Sequence, residues 1–444
     1  MTLIAGGRLI DPQSGTDDFL DLALEGGRIV RIGKLDPQAG GYGRIIDARG
    51  KTVVPGLIDV HVHFRDPGLT YKEDIASGAA AAARGGFTAV VCMANTKPPV
   101  DNVETLAEVL AKAAKAPIRV YTVAAVSRGM EGKELTDMAG LKKLGALGFS
   151  DDGIPIRDPA FLQKALRAVK ALGVPISLHE EEPALIGVPG IHEGKVSAAL
   201  GISGAPAVSE SAMVARDCML ALASGARVHI QHVSCAESTE LIRLAKRLLD
   251  ARLGARITAE VTPQHLALTE DAVRIHGTLA KLNPPLRTEE DRLALIAALK
   301  DGTIDMIATD HAPHNIEEKE KPFAEAPGGL IGLETALALG ITNLVLPGHL
   351  TLPALIGKMT AAPAQLYGLD AGYLAEGGPA DITILDDRET WTVGGFVSKS
   401  SNSPFAGSTL TGKVKYTICG GKIVYQDARA SAYLLSNIHR IDKE

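Results

Sequence analysis

The chain has few cysteines, no excess of positive charge and no long uninterrupted hydrophobic run, and each absence excludes a class of protein. Its 444 residues include only four cysteines, and none of them forms a Cys-x-x-Cys pair. Scattered cysteines of this kind are typical of small buried side chains in a reducing compartment and argue against a disulfide framework. The formal net charge of −6 gives no electrostatic reason to expect nucleic acid or an anionic membrane as a partner.

The hydrophobic segments predict neither secretion nor insertion into a membrane. The N-terminus, MTLIAGGRLIDP, lacks a basic start followed by a long apolar region, so we expect no signal peptide. The most apolar later stretch, residues 335–355, is interrupted by glycine, proline, asparagine and histidine, which is typical of packed helical segments and not of a membrane span. We therefore expect a cytoplasmic protein that does not bind membranes.

Two kinds of sequence pattern divide the chain. Residues 1–53 alternate short apolar runs with Gly, Asp and Pro turns, which is typical of β structure rich in hairpins. The same pattern returns after about residue 370. The sequence therefore predicts one small β-sandwich domain assembled from both termini, residues 1–53 and 370–444, around a second domain of residues 54–369.

The middle of the chain alternates short apolar runs with helical stretches rich in Ala, Leu, Lys and Glu. The apolar runs are residues 56–64, 87–94, 118–126, 146–150, 174–178, 227–233, 256–261 and 305–309. Eight strands that alternate with helices predict an α/β fold of the (β/α)₈ TIM barrel type, with a doubly wound open sheet as the alternative. In such a barrel the reactive residues belong at the C-terminal ends of the strands.

Potential metal ligands lie at the C-terminal ends of these predicted strands. They are His61 and His63 at the first, Asp151 and Asp152 at the fourth, His179 at the fifth, His232 at the sixth and Asp310 at the eighth. His61 and His63 are two residues apart, so on a strand they share a face. A single histidine at a strand end is more often a structural residue, but buried polar groups are costly without partners, and so many together favour a metal site.

The donor types narrow the metal and the chemistry. Nitrogen and oxygen donors without thiolate suit Zn²⁺ and leave Mn²⁺, Co²⁺ or Fe²⁺ open. Four histidines and two carboxylates, Asp310 and one of Asp151 and Asp152, exceed what one tetrahedral ion can use. Two ions about 3.5–4 Å apart, bridged by a carboxylate and a hydroxide, account for all six. Such a pair favours hydrolysis of an amide, ester or phosphate, or its reversal.

Longer motifs surround these residues. They are HVHFRDPG (61–68), MANTKP (93–98), FSDDG (149–153), LNPPLR (282–287), ATDHAPH followed by Lys319 (308–319) and SNSPFAG (401–407). With these motifs the chain resembles the amidohydrolase superfamily over almost its whole length, and within it the dihydroorotases of the long bacterial type. That resemblance implies a zinc enzyme of pyrimidine biosynthesis that interconverts N-carbamoyl-L-aspartate and (S)-dihydroorotate.

The resemblance also implies a division of the ligands. His61, His63 and Asp310 would hold one Zn²⁺ ion and His179 and His232 the other. Many relatives bridge the ions with a carboxylated lysine, but FSDDG contains no lysine. We therefore expect Asp152 to bridge the ions together with hydroxide, with Asp151 as the alternative. Asp310 would be the catalytic general acid and base.

The substrate contacts implied by the resemblance are His63, Arg65, Asn95, Asn283, His314, Gly328 and Gly329. Arg65 is a fork-shaped donor that suits a substrate carboxylate. Asn283 is otherwise a turn residue before Pro284, and the two glycines are otherwise part of a flexible loop. We expect the HEEEP segment after His179 to be solvated or to lie behind the ligands, and His229 to face away from His232.

Two other functions stay open. One is a different cyclic amidase, such as a hydantoinase or an allantoinase. The other is a non-catalytic dihydroorotase-like scaffold of aspartate transcarbamoylase. For the enzyme we expect a homodimer and consider a complex with aspartate transcarbamoylase possible.

Overall fold

The computed structural model of the protein describes residues 1–249 and 256–428. Residues 429–444, which the sequence analysis assigns to the β-sandwich domain, lie outside the described part. The strands are β1 (Thr2–Asp11), β2 (Thr16–Glu25), β3 (Arg28–Gly33), β4 (Arg44–Asp47), β5 (Thr52–Pro55), β6 (Leu57–Val62), β7 (Phe87–Cys92), β8 (Arg119–Thr122), β9 (Ile176–Leu178), β10 (Arg227–Ile230), β11 (Arg256–Val261), β12 (Met306–Ile307), β13 (Ile382–Thr392), β14 (Thr409–Cys419) and β15 (Lys422–Gln426).

The α-helices are α1 (Ile75–Arg84), α2 (Val103–Ala113), α3 (Met138–Leu144), α4 (Pro159–Leu172), α5 (Lys195–Ala199), α6 (Val208–Ser224), α7 (Ala236–Arg247), α8 (Pro263–Ala267), α9 (Asp271–His276), α10 (Glu289–Asp301), α11 (Ile316–Lys319), α12 (Ala336–Gly340), α13 (Leu352–Lys358) and α14 (Ala361–Tyr367). Short 3₁₀ turns occur at Arg128–Met130, Pro183–Leu185 and Gly277–Ala280, and a π turn at Ile341–Val345 continues α12. Among the helices that the structure describes, none has both the length and the hydrophobicity needed to span a bilayer.

Strands from both ends of the chain form one eight-stranded sheet. Its order is β15-β14-β13-β5-β1-β2-β3, with β4 paired to β1. The junction between the two ends is the antiparallel pairing of β5 with β13, in which Val53 lies opposite Ile384. Apolar side chains from the N-terminal strands, such as Ile4 and Leu22, share a core with Ile382 and Ile418 from the C-terminal strands.

The central strands form a closed parallel barrel. β6, β7 and β8 pair in one sheet, and β9, β10, β11 and β12 pair in another. Phe149 joins the two sheets, because it bridges Ala124 after β8 on one side and Ile176 in β9 on the other. On the opposite side, Val62 in β6 bridges His311 just after β12. The eightfold barrel with a terminal β domain that the sequence predicts is therefore confirmed.

Several barrel strands are shorter than predicted, and for two of them, the fourth and the eighth, the local reason is clear. The fourth, predicted at residues 146–150, is reduced to the bridging residue Phe149, whose N–H donates to the Pro175 carbonyl at 3.2 Å. The Ser177 N–H donates in return to the Phe149 carbonyl at 2.9 Å, but Pro175 has no N–H to donate to the chain before Phe149, so the ladder with β9 does not extend toward residue 146. The eighth ends at Ile307. Beyond it the Thr309 N–H donates to the Asp59 carboxylate at 3.2 Å, and Asp310, with a φ of 48°, turns the chain out of the strand direction.

A segment of the terminal domain reaches across to the barrel. The connection between β13 and β14 includes residues 397–405, which we call the strap. The Ser398 N–H donates to Glu334 Oε1 at 3.1 Å, and Ser400 Oγ donates to the Lys72 carbonyl at 2.7 Å. The Ile331 N–H donates to the Asn402 carbonyl at 3.0 Å. The strap therefore contacts loops that follow β6 and β12, at the C-terminal end of the barrel.

Candidate metal centre

The six predicted ligands converge at the C-terminal end of the barrel. His61 lies in β6 and His63 follows it on the same face. His232 and Asp310 follow β10 and β12 with positive φ angles of 32° and 48°, and Arg65 has a φ of 58°. Positive φ is uncommon for residues other than glycine, and such backbone strain concentrates at functional sites. Met130 is the one further non-glycine residue in the described part with this conformation.

His61, His63 and Asp310 form one potential ligand group. The Nε2 atom of His63 lies 2.9 Å from Asp310 Oδ1, and the Nε2 atom of His61 lies 3.5 Å from the same oxygen. All three donor atoms lie within 4.8 Å of one another. This spacing allows them to share one ion.

Asp152 lies between this group and the remaining two histidines. Its Oδ2 atom is 3.4 Å from His61 Nε2 and 3.3 Å from His63 Nε2. Its other oxygen, Oδ1, is 3.6 Å from His232 Nε2 and 3.7 Å from His179 Nδ1. Each oxygen of one carboxylate therefore faces a different pair of imidazoles, which is the arrangement a bridging ligand requires.

Two buried atoms at this centre have no hydrogen-bond partner among the described residues. They are His61 Nε2 and Asp152 Oδ1. A buried polar atom without a partner costs free energy, so its presence in a site requires an explanation. Coordination of a cation satisfies both atoms, and the donor set of imidazole and carboxylate fits the metal expected from the sequence.

The electrostatics of the two carboxylates also suit a cation. Burial alone would raise the pKa of Asp152, but the surrounding His61, His179 and His232 outweigh it and hold the pKa well below its ordinary value. Burial opposes the shift of Asp310 in the same way, yet His61 and His63 lower its pKa. Both groups are therefore ionised at neutral pH.

Residues behind the ligands hold the imidazoles in place. Glu260, in β11, contacts two imidazoles. Its Oε1 atom lies 2.5 Å from His61 Nδ1, and its Oε2 atom lies 3.0 Å from His229 Nε2. Glu181 Oε2 lies 3.0 Å from His179 Nε2. Carboxylates in this position fix the tautomer and orientation of a metal-binding histidine. His229 lies behind the centre, on the far side of Glu260.

Glu181 lies behind His179, which is one of the two alternatives expected for the HEEEP segment. Glu180 and Glu181 are only 2% and 5% exposed, so the other alternative, a solvated segment, was wrong for these two residues. The sequence interpretation missed Glu260. A signal for it was available, because Glu260 is a carboxylate near the C-terminal end of the largely apolar strand RITAEV.

The predicted substrate residues line a cavity beside the ligands. Its volume is about 580 Å³, and the lining includes His63, Arg65, Asn95, Asn283, His314, Gly328 and Gly329. One side is cationic, since it is formed by the Arg65 guanidinium, whose Nη2 atom lies 3.3 Å from His314 Nε2. Burial, reinforced by Arg65 and Lys72, holds the pKa of His314 far below its ordinary value, so this imidazole is neutral.

The other side of the cavity is formed by amide groups. Asn283 Oδ1 is buried and has no hydrogen-bond partner among the described residues, so it can accept a bond from a ligand. Gly328 packs against this amide, because a Cβ at Gly328 would lie 2.9 Å from Asn283 Nδ2. Asn95 also contacts the centre, with Oδ1 2.8 Å from His63 Nδ1 and Nδ2 donating to the Asp152 carbonyl at 3.1 Å.

Comparison with known proteins identifies a family with this architecture. The sequence model of the amidohydrolase family matches residues 52–424. A dihydroorotase of Clostridioides difficile (strain 630) is 55% identical over 425 residues, which cover 96% of this chain and 100% of the relative. A dihydroorotase of Lactococcus lactis subsp. lactis is 54% identical, with 96% of this chain and 99% of the relative covered.

Solved structures show the same fold. The L-hydantoinase (dihydropyrimidinase) of Arthrobacter aurescens has a TM-score of 0.85 at 28% identity, with 96% of each chain covered. The dihydropyrimidinase of Brevibacillus agri NCHU1002 has a TM-score of 0.81 at 25% identity, with 96% of this chain and 95% of the other covered. The chain therefore belongs to the amidohydrolase family of metal-dependent hydrolases, in the group whose curated relatives are dihydroorotases.

Proposed function

We propose that this chain is a zinc-dependent dihydroorotase of pyrimidine biosynthesis, which interconverts N-carbamoyl-L-aspartate and (S)-dihydroorotate. One observation carries the proposal: Asp152 lies between two pairs of histidines, beside a wall made by Arg65 and His314. The first feature suits a hydrolytic metal pair, and the second suits a substrate that carries a carboxylate. The names of the most similar curated relatives agree with this function.

In this proposal the positions of the donor atoms decide which residues bind each of the two ions. His61, His63 and Asp310 would hold one Zn²⁺, His179 and His232 would hold the other, and Asp152 would be shared between them. When bound, the ions would supply a water molecule with a pKa of about 7 and an electrophilic contact for the amide carbonyl of the substrate.

Asp310 is the general acid and base of the proposal. It is ionised in the resting site, because His61 and His63 lower its pKa. As an ionised carboxylate near the reacting atoms it accepts a proton from the attacking water. It then delivers that proton to the ring nitrogen that leaves as the amide bond breaks. In the direction of ring closure the same carboxylate removes the proton from that nitrogen.

The remaining residues bind and orient the substrate. The Arg65 guanidinium and His314 bind the carboxylate, and Asn95 lies at the junction between that carboxylate and the metal ligands. The free Oδ1 atom of Asn283 accepts a bond from a ring N–H, and Gly328 and Gly329 form the opposing backbone surface. Holding the ring amide against the metal centre reduces the entropic cost of reaching the transition state.

A hydantoinase is the second candidate, because structures of that activity share the fold at TM-scores of 0.85 and 0.82. The cationic wall favours dihydroorotate, since hydantoin carries no carboxylate to pair with Arg65. The test is the kcat/KM of the purified chain with dihydroorotate, hydantoin and allantoin. Preference for dihydroorotate supports the proposal, and preference for either of the others refutes it.

Metal analysis tests the cofactor and the remaining alternative. We expect two Zn²⁺ ions per chain, loss of turnover on chelation and recovery after about two equivalents of Zn²⁺. A chain that retains no transition metal and shows no turnover would instead be the transcarbamoylase scaffold. The proposed enzyme acts in the cytoplasm as a homodimer, and light scattering with and without aspartate transcarbamoylase tests the dimer and the complex.

A further inference from the structure

The strap contacts the cationic wall of the cavity from behind. Asn402 in the strap is fully buried, and its side chain uses both of its polar atoms. Its Oδ1 atom accepts from the backbone N–H of His314 at 3.1 Å. Its Nδ2 atom donates to the carbonyls of Ala312 and Gly329, each at 3.1 Å. One amide therefore joins the two segments that carry His314 and Gly329.

Lys72 contacts the imidazole ring of the same histidine, His314. Its Nζ atom lies 3.2 Å from His314 Nδ1 and 2.9 Å from Glu318 Oε1, and Lys72 is only 8% exposed. An ammonium group can only donate, so His314 Nδ1 must accept. Glu318 Oε2 lies further from Nδ1, at 3.5 Å, and has no hydrogen bond among the described residues.

This contact determines which ring nitrogen carries the proton. A neutral imidazole has one acceptor and one donor, so if Nδ1 accepts from Lys72, the proton is on Nε2. His314 Nε2 lies 3.3 Å from Arg65 Nη2, so the ring N–H faces a second donor, the guanidinium N–H. Two adjacent donors cannot satisfy each other, but both can donate to a single carboxylate that binds against them.

We propose that Lys72 and Asn402 are positioning residues that set the ring tautomer and the backbone of His314, so that His314 and Arg65 together bind the substrate carboxylate. Neither residue needs to touch the substrate. Asn402 lies behind the 312–314 segment, and Lys72 lies on the side of the His314 ring opposite Arg65. The inference rests on the proposed function, since it assigns the carboxylate of that substrate to this wall.

The test uses two ligands that differ only in the carboxylate: orotate, which carries it, and uracil, which has the same ring without it. Their inhibition constants are measured on the holoenzyme of the wild type, Lys72→Met and Asn402→Ala. We expect orotate to bind about tenfold more weakly to each variant, the effect of losing one hydrogen bond to a charged group. We expect uracil to change by less than about twofold. The KM for dihydroorotate should rise more than kcat falls.

A double-mutant cycle with His314→Ala shows whether the two residues act through His314. In that background Lys72→Met should weaken orotate no further, because the group it positions is already absent. The matched control is Lys399→Met, since Lys399 is an exposed strap residue that pairs with Asp74 and does not contact the 312–314 segment. This control should bind orotate as the wild type does.

Three outcomes would overturn the inference: equal weakening of orotate and uracil, no weakening of either, or a full additional loss in the His314→Ala background. Because Asn402 is fully buried, its alanine variant can fail to fold, so Asn402→Ser is tested as well. Lys72→Met tests the positioning role even if both Asn402 variants fail to fold. A wild type that neither hydrolyses dihydroorotate nor binds orotate would refute the proposed function instead. A wild type that does both, with variants that show no selective loss, would refute the positioning role alone.

Discussion

The Nδ1 atom of His61 lies 2.5 Å from Oε1 of Glu260, beneath the candidate metal centre. The carboxylate fixes His61 with its Nε2 lone pair directed at the proposed metal. We predict that Glu260→Gln lowers metal affinity about 10–100-fold, as the loss of such a partner typically does. Competition with a chromogenic chelator measures this. The control is Glu237→Gln, an exposed position at the start of α7, and equal affinities in both variants would contradict the prediction.

The two aspartates of FSDDG should differ in what they support. Asp151 accepts bonds from the backbone of Val126 at 2.7 Å and of Ser127 at 3.2 Å, and from Ser127 Oγ at 2.5 Å. We predict that Asp151→Asn lowers stability by about 1–3 kcal/mol, because an amide cannot accept all of these bonds. It should keep its metal, whereas Asp152→Asn should lose metal and turnover. Melting curves and metal analysis measure both, and the reverse pattern would identify Asp151 as the bridge.

Gly329 has a backbone conformation that disfavours other residues. Its φ is 125°, and a Cβ there would lie 2.7 Å from the Cβ of Ala312. We predict that Gly329→Ala displaces the cavity wall and lowers kcat/KM by about 100-fold, the cost of misplacing a substrate contact by roughly 1 Å. Gly394→Ala is the control, since a Cβ there meets nothing within 4 Å. A Gly329→Ala enzyme as active as this control would show that the wall is not required.

Lys319 gives a pH dependence of stability. Burial, reinforced by the positive charge of Lys281, lowers the pKa of Lys319 from 10.5 to about 7. Between these values the unfolded chain binds a proton that the folded chain does not, so this group makes stability rise with pH across that window. Below about pH 7 both states are protonated and the dependence ends.

We therefore predict that Lys319→Met flattens the stability profile. The measurement is the change in melting temperature between about pH 7 and about pH 10 for the variant and the wild type. Lys321→Met, at an exposed position in the same loop, should keep the wild-type profile. If Lys319→Met and the wild type gain the same number of degrees over this range, the lysine does not titrate there.

The barrel and the positions of the candidate ligands could be predicted from the sequence because both leave local patterns. Apolar runs alternate with helical stretches, and each candidate ligand lies at or just beyond the C-terminal end of such a run, as His61 and His232 do. The hydrogen bonds behind the ligands leave no such pattern. Glu260 meets His61 across 199 positions of the chain, and Asn402 meets His314 across 88. Only the closure of the barrel and the path of the strap bring these residues together.

Strand lengths were less predictable than strand order. Composition starts the fourth strand at Ala146, but Pro175 has no N–H to pair with that part of the chain, and the bridge to β9 is confined to Phe149. The eighth strand is predicted through Thr309, yet the Thr309 N–H donates to the Asp59 carboxylate at 3.2 Å. In both cases a single residue limits the ladder, and hydrophobic periodicity does not reveal it.

The left-handed backbone at Arg65, His232 and Asp310 limits how this centre can be transferred to another scaffold. Grafting the same side chains onto regular strand ends of a designed barrel would aim His232 and Asp310 elsewhere, since their direction depends on a torsion that most residues avoid. A successful graft must therefore copy the turns and the interactions that offset their strain, and not the ligands alone.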